Sequence, residues 1–108
     1  MSSTQRYTED QPTREEIDTT AGPVVVSFGT NWCGYCRASR PAVDEGFTAH
    51  PDVRHVMAED ARGRPLGRSF GVKLWPTLVF LRDGEEVTRL VRPTDPAAVR
   101  QALDNITR

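Results

Sequence analysis

The chain of 108 residues has only two cysteines, Cys33 and Cys36, set in the stretch Thr30-Asn31-Trp32-Cys33-Gly34-Tyr35-Cys36. Two sulfurs at this spacing can exchange electrons as a dithiol and disulfide, ligate a metal, or staple the chain. A staple across three positions removes almost no loop entropy, and a reducing compartment would not keep it oxidised. A zinc site has some support in the spacing Cys33-x2-Cys36-x13-His50-x4-His55. However, zinc-finger histidines share one helix, whereas Pro51 separates these two and His55 falls in a strand pattern, so neither histidine receives a catalytic or metal role. The bland alternative is a pair of small buried hydrophobes, against which stands the Gly-containing stretch that carries both sulfurs.

The elements around the pair decide among these. Val24-Val25-Val26-Ser27-Phe28 is a continuous run of β-branched and aromatic residues, too short for a helix and typical of a strand buried on both faces. From Cys36 to about Thr48 the pattern is helical, with Ala38, Ala42, Val43 and Phe47 on the apolar side and Pro41 expected to kink the helix. Cys33 is therefore expected at a helix N-terminus, where unpaired N–H groups and the helix dipole favour a thiolate. In such motifs the cysteine pKa falls from about 8.5 into a range of roughly 3.5 to 7.5. Cys36, nearly one turn on, is expected to face inward. The division of labour predicted is that Cys33 attacks a substrate disulfide and Cys36 resolves the mixed disulfide that forms.

Elsewhere, Thr13 and Glu16 have capping-box spacing ahead of a short helix that Gly22-Pro23 stops. Val53 to Ala58 reads as a strand, Arg64 to Phe70 as a short helix around Pro65, and Thr77 to Leu81 as a strand. Asp83-Gly84 joins that strand to Glu86–Val91 by a two-residue hairpin turn, and Thr94-Asp95-Pro96 caps a last helix with an apolar stripe at Val99, Ala102, Leu103 and Ile106. The order is helix, strand, helix, strand, helix, strand, strand, helix. That predicts an α/β domain with a central mixed sheet of four to five strands and helices on both faces. Residues 1–108 read as one domain, with 1–10 a flexible arm or a short edge strand.

Composition narrows the function. A formal net charge of -1 gives no basic field for nucleic acid or anionic membranes. No window approaches eighteen apolar residues, and the polar start has no apolar core of the signal-peptide kind, so a cytoplasmic protein without membrane or nucleic-acid partners is expected. No Gly-x-Gly-x-x-Gly follows a strand, so neither flavin nor nicotinamide is expected as a cofactor, and no metal either.

Taken in order, Trp32-Cys33-Gly34-Tyr35-Cys36, Pro41, Phe70-Gly71-Val72, Trp75-Pro76-Thr77 and Asp83-Gly84 resemble the thioredoxin family, over roughly Tyr7 to Ile106. The resemblance implies a thioredoxin fold and a protein disulfide reductase that works through a reversible Cys33–Cys36 couple without other cofactor. It also implies protein disulfide substrates, recharging by an external reductase such as thioredoxin reductase, and a monomer. The Trp75–Pro76 bond is implied to be cis, with Pro76 beside the cysteines and the backbone of Trp75 free to pair with a bound strand. Trp32 is implied to shield the sulfur and wall the docking surface, next to Gly34 and Tyr35. Disulfide isomerisation or oxidation, and a peptide-binding module or chaperone, remain as alternatives.

Three positions depart from the family pattern. Ser27 stands where an aspartate usually helps deprotonate the resolving cysteine, and a hydroxyl is no base near neutral pH. The lysine that accompanies that acid is missing too, since Lys73 is the only lysine in the chain. Arg92 stands where the family has a glycine at the groove rim, and either narrows the groove in favour of acidic partners or points into water. Tyr35, where many thioredoxins carry proline, predicts a somewhat less reducing potential.

Overall fold

The computed structural model describes residues 6–61 and 64–108. Its elements in chain order are α1 (Arg14–Asp18), β1 (Pro23–Gly29), α2 (Gly34–Phe47), β2 (Arg54–Glu59), α3 (Pro65–Ser69), β3 (Thr77–Arg82), β4 (Glu85–Val91) and α4 (Pro96–Thr107). They follow the order expected from the sequence.

The four strands lie in the order β2-β1-β3-β4, with β1 parallel to β2 and antiparallel to β3. β1 is central, flanked on both edges and both faces, which is why its sequence is an unbroken apolar run. Alternate residues feed two cores. Val24, Val26 and Phe28 pack with Ile17 of α1 and Leu66 of α3, whereas Val25 packs with Val43 and Phe47 of α2 and with Val99 and Leu103 of α4. The β3–β4 hairpin turns through Asp83 (φ 52°) and Gly84 (φ 84°), the two left-handed conformations that an Asp-Gly turn supplies.

Helix ends follow local chemistry. Thr13 and Glu16 form the reciprocal capping box, and Asp95 caps α4 by accepting from the N–H of Ala97. α2 begins at Gly34, two residues earlier than its apolar pattern indicates, because Cys33 itself takes the extended N-cap conformation. Its buried stripe also differs: Ala38 is exposed, and Ser39 is buried instead between Cys36 and Ala42. Pro41 is accommodated inside the helix.

Residues 1–5 of the predicted arm lie outside the described residues. Within 6–10, Tyr7 is buried and Thr8 forms an isolated parallel bridge with Ala58 on the outer side of β2. No helix is long and apolar enough to cross a membrane among the described residues.

Candidate active site

β1 delivers the chain to the loop Thr30–Cys33, and α2 begins immediately after it, so both cysteines sit at one end of the sheet. Cys33 is 9 % exposed and Cys36 5 %, and both are thiols. Their surroundings separate them chemically. Burial works against the Cys33 thiolate, but the backbone N–H of Cys36, the Cys36 thiol, the N–H of Tyr35 and the charge of Arg92 together hold Cys33 below the usual thiol range. Cys36 goes the other way. Burial dominates and, with the neighbouring Cys33, outweighs a hydrogen bond from the Thr30 backbone, so its pKa is pushed up to about 11. The two sulfurs are thus displaced in opposite directions, Cys33 toward its thiolate and Cys36 toward its thiol.

The walls are aromatic. Trp32 is 67 % exposed and meets Trp75 edge to face, with ring centroids 5.7 Å apart. Trp75 packs against the cysteine cluster, and its indole N–H donates to Asp60 at 2.9 Å, which fixes the ring. The Trp75–Pro76 bond is cis. Tyr35, next to Cys36 in the chain, is 58 % exposed, so with Trp32 it presents aromatic surface to solvent beside the cysteines. Such a surface suits docking of an extended peptide.

Arg92 does not point into water. Its guanidinium stacks 3.6 Å from the Tyr35 ring centroid, and its Nε donates to the carbonyl of Trp75 at 2.9 Å. The expectation that the backbone of Trp75 is free is therefore corrected at its carbonyl, which Arg92 covers. The Arg92 backbone is left-handed (φ 52°), and its N–H donates to the Pro76 carbonyl at 2.8 Å. That conformation explains why a glycine would be at ease at this position.

Ser27 lies under α2 opposite Met57 in the β1–β2 register, and its hydroxyl is 2.6 Å from His55 Nε2. His55 stacks on Phe47 at 4.4 Å, and burial, reinforced by nearby Arg40, drives its pKa down to about 4, so the ring is neutral. His50 is engaged elsewhere, 2.7 Å from Asp104 on α4. The two histidines are thus engaged in separate bonds, and among the described residues no group of three or more metal-ligating side chains gathers.

Sequence reasoning passed over Tyr7 and Asp60. Tyr7 clusters with Cys33, Cys36 and Met57. Asn31 holds its backbone reciprocally, accepting from the Tyr7 N–H and donating to the Tyr7 carbonyl, each at 2.9 Å. Gly29 makes room for this: a Cβ there would lie 2.5 Å from the Cys36 sulfur and 2.9 Å from the Tyr7 ring. The one available signal was a lone aromatic in a polar N-terminal segment.

Comparison with known proteins agrees with this geometry. The family model described as Thioredoxin matches residues 4–105. The chain is 33% identical over 82 residues to thioredoxin Asp f 28 of Aspergillus fumigatus, covering 76% of each chain. It is 29% identical over 96 residues to thioredoxin 1 of Synechococcus elongatus, covering 88% of this chain and 90% of that one. Among solved structures, reduced thioredoxin 2 from Pseudomonas aeruginosa PAO1 superposes with a TM-score of 0.85 at 50% identity, covering 95% of both chains.

Proposed function

Because the chain belongs to the thioredoxin family and is a thioredoxin-type disulfide reductase with a Cys-x-x-Cys pair, we propose that Cys33 is its nucleophile and Cys36 its resolving thiol. The Cys33 thiolate attacks one sulfur of a protein disulfide, and the other leaves as a thiolate that takes up a proton. The Cys36 sulfur then displaces the second substrate sulfur from Cys33, leaving a Cys33–Cys36 disulfide. Two electrons have passed to the substrate, and an external dithiol reductase, such as a thioredoxin reductase, returns them. The observation that carries the assignment is the placement of Cys33 at the extended N-cap of α2 with Cys36 buried inside its first turn, and the two thiols are displaced in the matching directions, Cys33 downward and Cys36 upward to about 11.

The substrate segment is proposed to lie extended across Trp32, Tyr35, Trp75 and Pro76, with Gly34 leaving the approach to Cys33 clear. Nothing lies within 4 Å of the position a Gly34 Cβ would take. Arg92, stacked on Tyr35, favours acidic segments, because a carboxylate can draw its guanidinium from the Trp75 carbonyl and so expose that acceptor. A monomer in the reducing cytoplasm is the proposed setting, since turnover depends on a continual return of electrons.

The test is reduction of insulin disulfides driven by dithiothreitol, with a Cys36→Ser variant used to trap partners. The wild type should turn over, Cys33→Ser should be inactive, and Cys36→Ser should accumulate mixed disulfides on Cys33. Turnover surviving in the Cys33→Ser/Cys36→Ser double variant, or trapping on position 36 in preference to 33, would overturn the assignment.

A further inference from the structure

The resolving thiol must lose its proton at a site where burial and Cys33 oppose ionisation and Ser27 offers no base. His55 does not serve as one. It is tied to Ser27 at 2.6 Å, and its pKa of about 4 makes it a weak acceptor for a thiol near 11.

A side chain that approaches this sulfur with a polar atom comes from the N-terminal segment. Tyr7 is 8 % exposed, and its hydroxyl lies 3.0 Å from the same vacant Cβ position of Gly29 that is 2.5 Å from the Cys36 sulfur. The phenol and this sulfur lie in one buried cluster with Cys33 and Met57. Burial first, and the charge it would place beside Cys36 second, lift the Tyr7 phenol well above its ordinary range. It is therefore a permanent donor and never a competing anion. Its placement is enforced by Asn31, by the Thr8 N–H donating to the Met57 carbonyl at 3.0 Å, and by the Glu59 N–H donating to the Thr8 carbonyl at 3.0 Å.

We propose that Tyr7 is a positioning residue for the resolving cysteine, its phenol donating a hydrogen bond to the Cys36 sulfur and steadying the thiolate that forms there. The inference rests on Cys36 being the resolving sulfur. In the mixed disulfide the Cys36 thiol gives its proton to water while its hydrogen bond from Tyr7 strengthens. Its sulfur bonds to the Cys33 sulfur, the bond from Cys33 to the substrate breaks, and the electron pair departs on the substrate sulfur, which is protonated by solvent. Among the described residues, the other titratable or charged groups that act on the pair are Cys33, the N-cap of α2, and Arg40 of α2, while His55 of β2 is neutral and Asp60, after β2, is turned to Trp75.

The test reads Cys36 directly, in a Cys33→Ser background, by its rate of alkylation with iodoacetamide between pH 7 and about 9.5, where the rate follows the thiolate fraction. Tyr7→Phe, which keeps the ring, should lower that rate about tenfold at every pH, the loss expected of a hydrogen bond to a charged group. In the otherwise intact protein it should slow release of a preformed mixed disulfide by a similar factor and leave alkylation of Cys33 within about twofold. Placing 3-fluorotyrosine at position 7, a stronger donor of nearly the same shape, should raise the Cys36 rate. An unchanged or faster Cys36 in Tyr7→Phe, or no acceleration with the fluorinated ring, overturns the proposal. Because alkylation does not require turnover, an error in the assignment of Cys36 would appear separately, as normal alkylation effects with unaltered mixed-disulfide release.

Discussion

Arg92→Gly separates what Arg92 does for the fold from what it does for the reaction. The backbone there has φ 52°, a conformation that costs a residue with a Cβ about 1 kcal/mol and glycine almost nothing. Against that gain stand the stacked contact with Tyr35, worth about 0.5–1 kcal/mol, and the bond to the Trp75 carbonyl, about 1 kcal/mol. These nearly cancel, so stability should change by no more than about 1 kcal/mol, a Tm shift of about 4–8 °C at most. The reaction should change more clearly. A substrate carboxylate about 4 Å from the guanidinium gains about 1 kcal/mol at the dielectric of water, a preference of roughly fivefold. The assay is kcat/KM for two disulfide peptides identical except for Glu or Gln beside the cysteine. The wild type should prefer the acidic peptide by about two- to fivefold at low salt and lose the preference near 0.5 M salt, where the Debye length is only about 4 Å. The glycine variant should show no preference at either salt. It should also alkylate more slowly at Cys33, whose thiolate Arg92 helps to hold. If the glycine variant discriminated as well as the wild type, the charge of Arg92 would have no part in substrate choice.

Gly29→Ala forces a methyl group against the Cys36 sulfur and the Tyr7 ring, and should destabilise the protein by about 1–3 kcal/mol, measured as a lower urea midpoint. His55 should make stability depend on acid. Its folded pKa of about 4 lies below the ordinary 6.5, so the unfolded chain binds the extra proton first. Its contribution is complete above pH 6.5 and declines as pH falls toward 4, by up to about 3 kcal/mol. His55→Gln should flatten that part of the profile in urea titrations at successive pH values, and an equal slope in the two proteins would refute the attribution.

What could be read from the sequence was whatever local chemistry decides. The capping box at Thr13 and Glu16, the Asp83-Gly84 turn and the apolar stripe of α4 each lie within a few residues, and each is present in the structure. The buried run at Val24–Phe28 was legible because a strand covered on both faces has no alternation to disguise it. The resemblance supplied the cis bond before Pro76, which residue types alone would not have. The rest depends on contacts between distant parts of the chain. Tyr7 reaches Asn31 across 24 positions, and Ser27 finds His55 across 28. Arg92 returns to the Trp75 carbonyl across 17, over a hairpin whose register only the folded sheet sets. The start of α2 was misjudged for the opposite reason: Cys33, read as chemistry alone, is also the cap.

The two bonds between Asn31 and the Tyr7 backbone join the loop that carries Cys33 to a segment attached to the sheet edge through Thr8 and Gln11. A segment that lies outside the strands of the sheet can open as a unit without unfolding β1. Its amides should exchange with deuterium well before those of the central strand, and their protection reports how firmly the redox loop is gripped. Equilibrium coupling is reciprocal, so the redox state that binds this segment more tightly is stabilised by it in turn. Any difference between the two redox states in how tightly they hold the residues around Tyr7 would shift the midpoint potential of the couple, although none of these residues exchanges an electron.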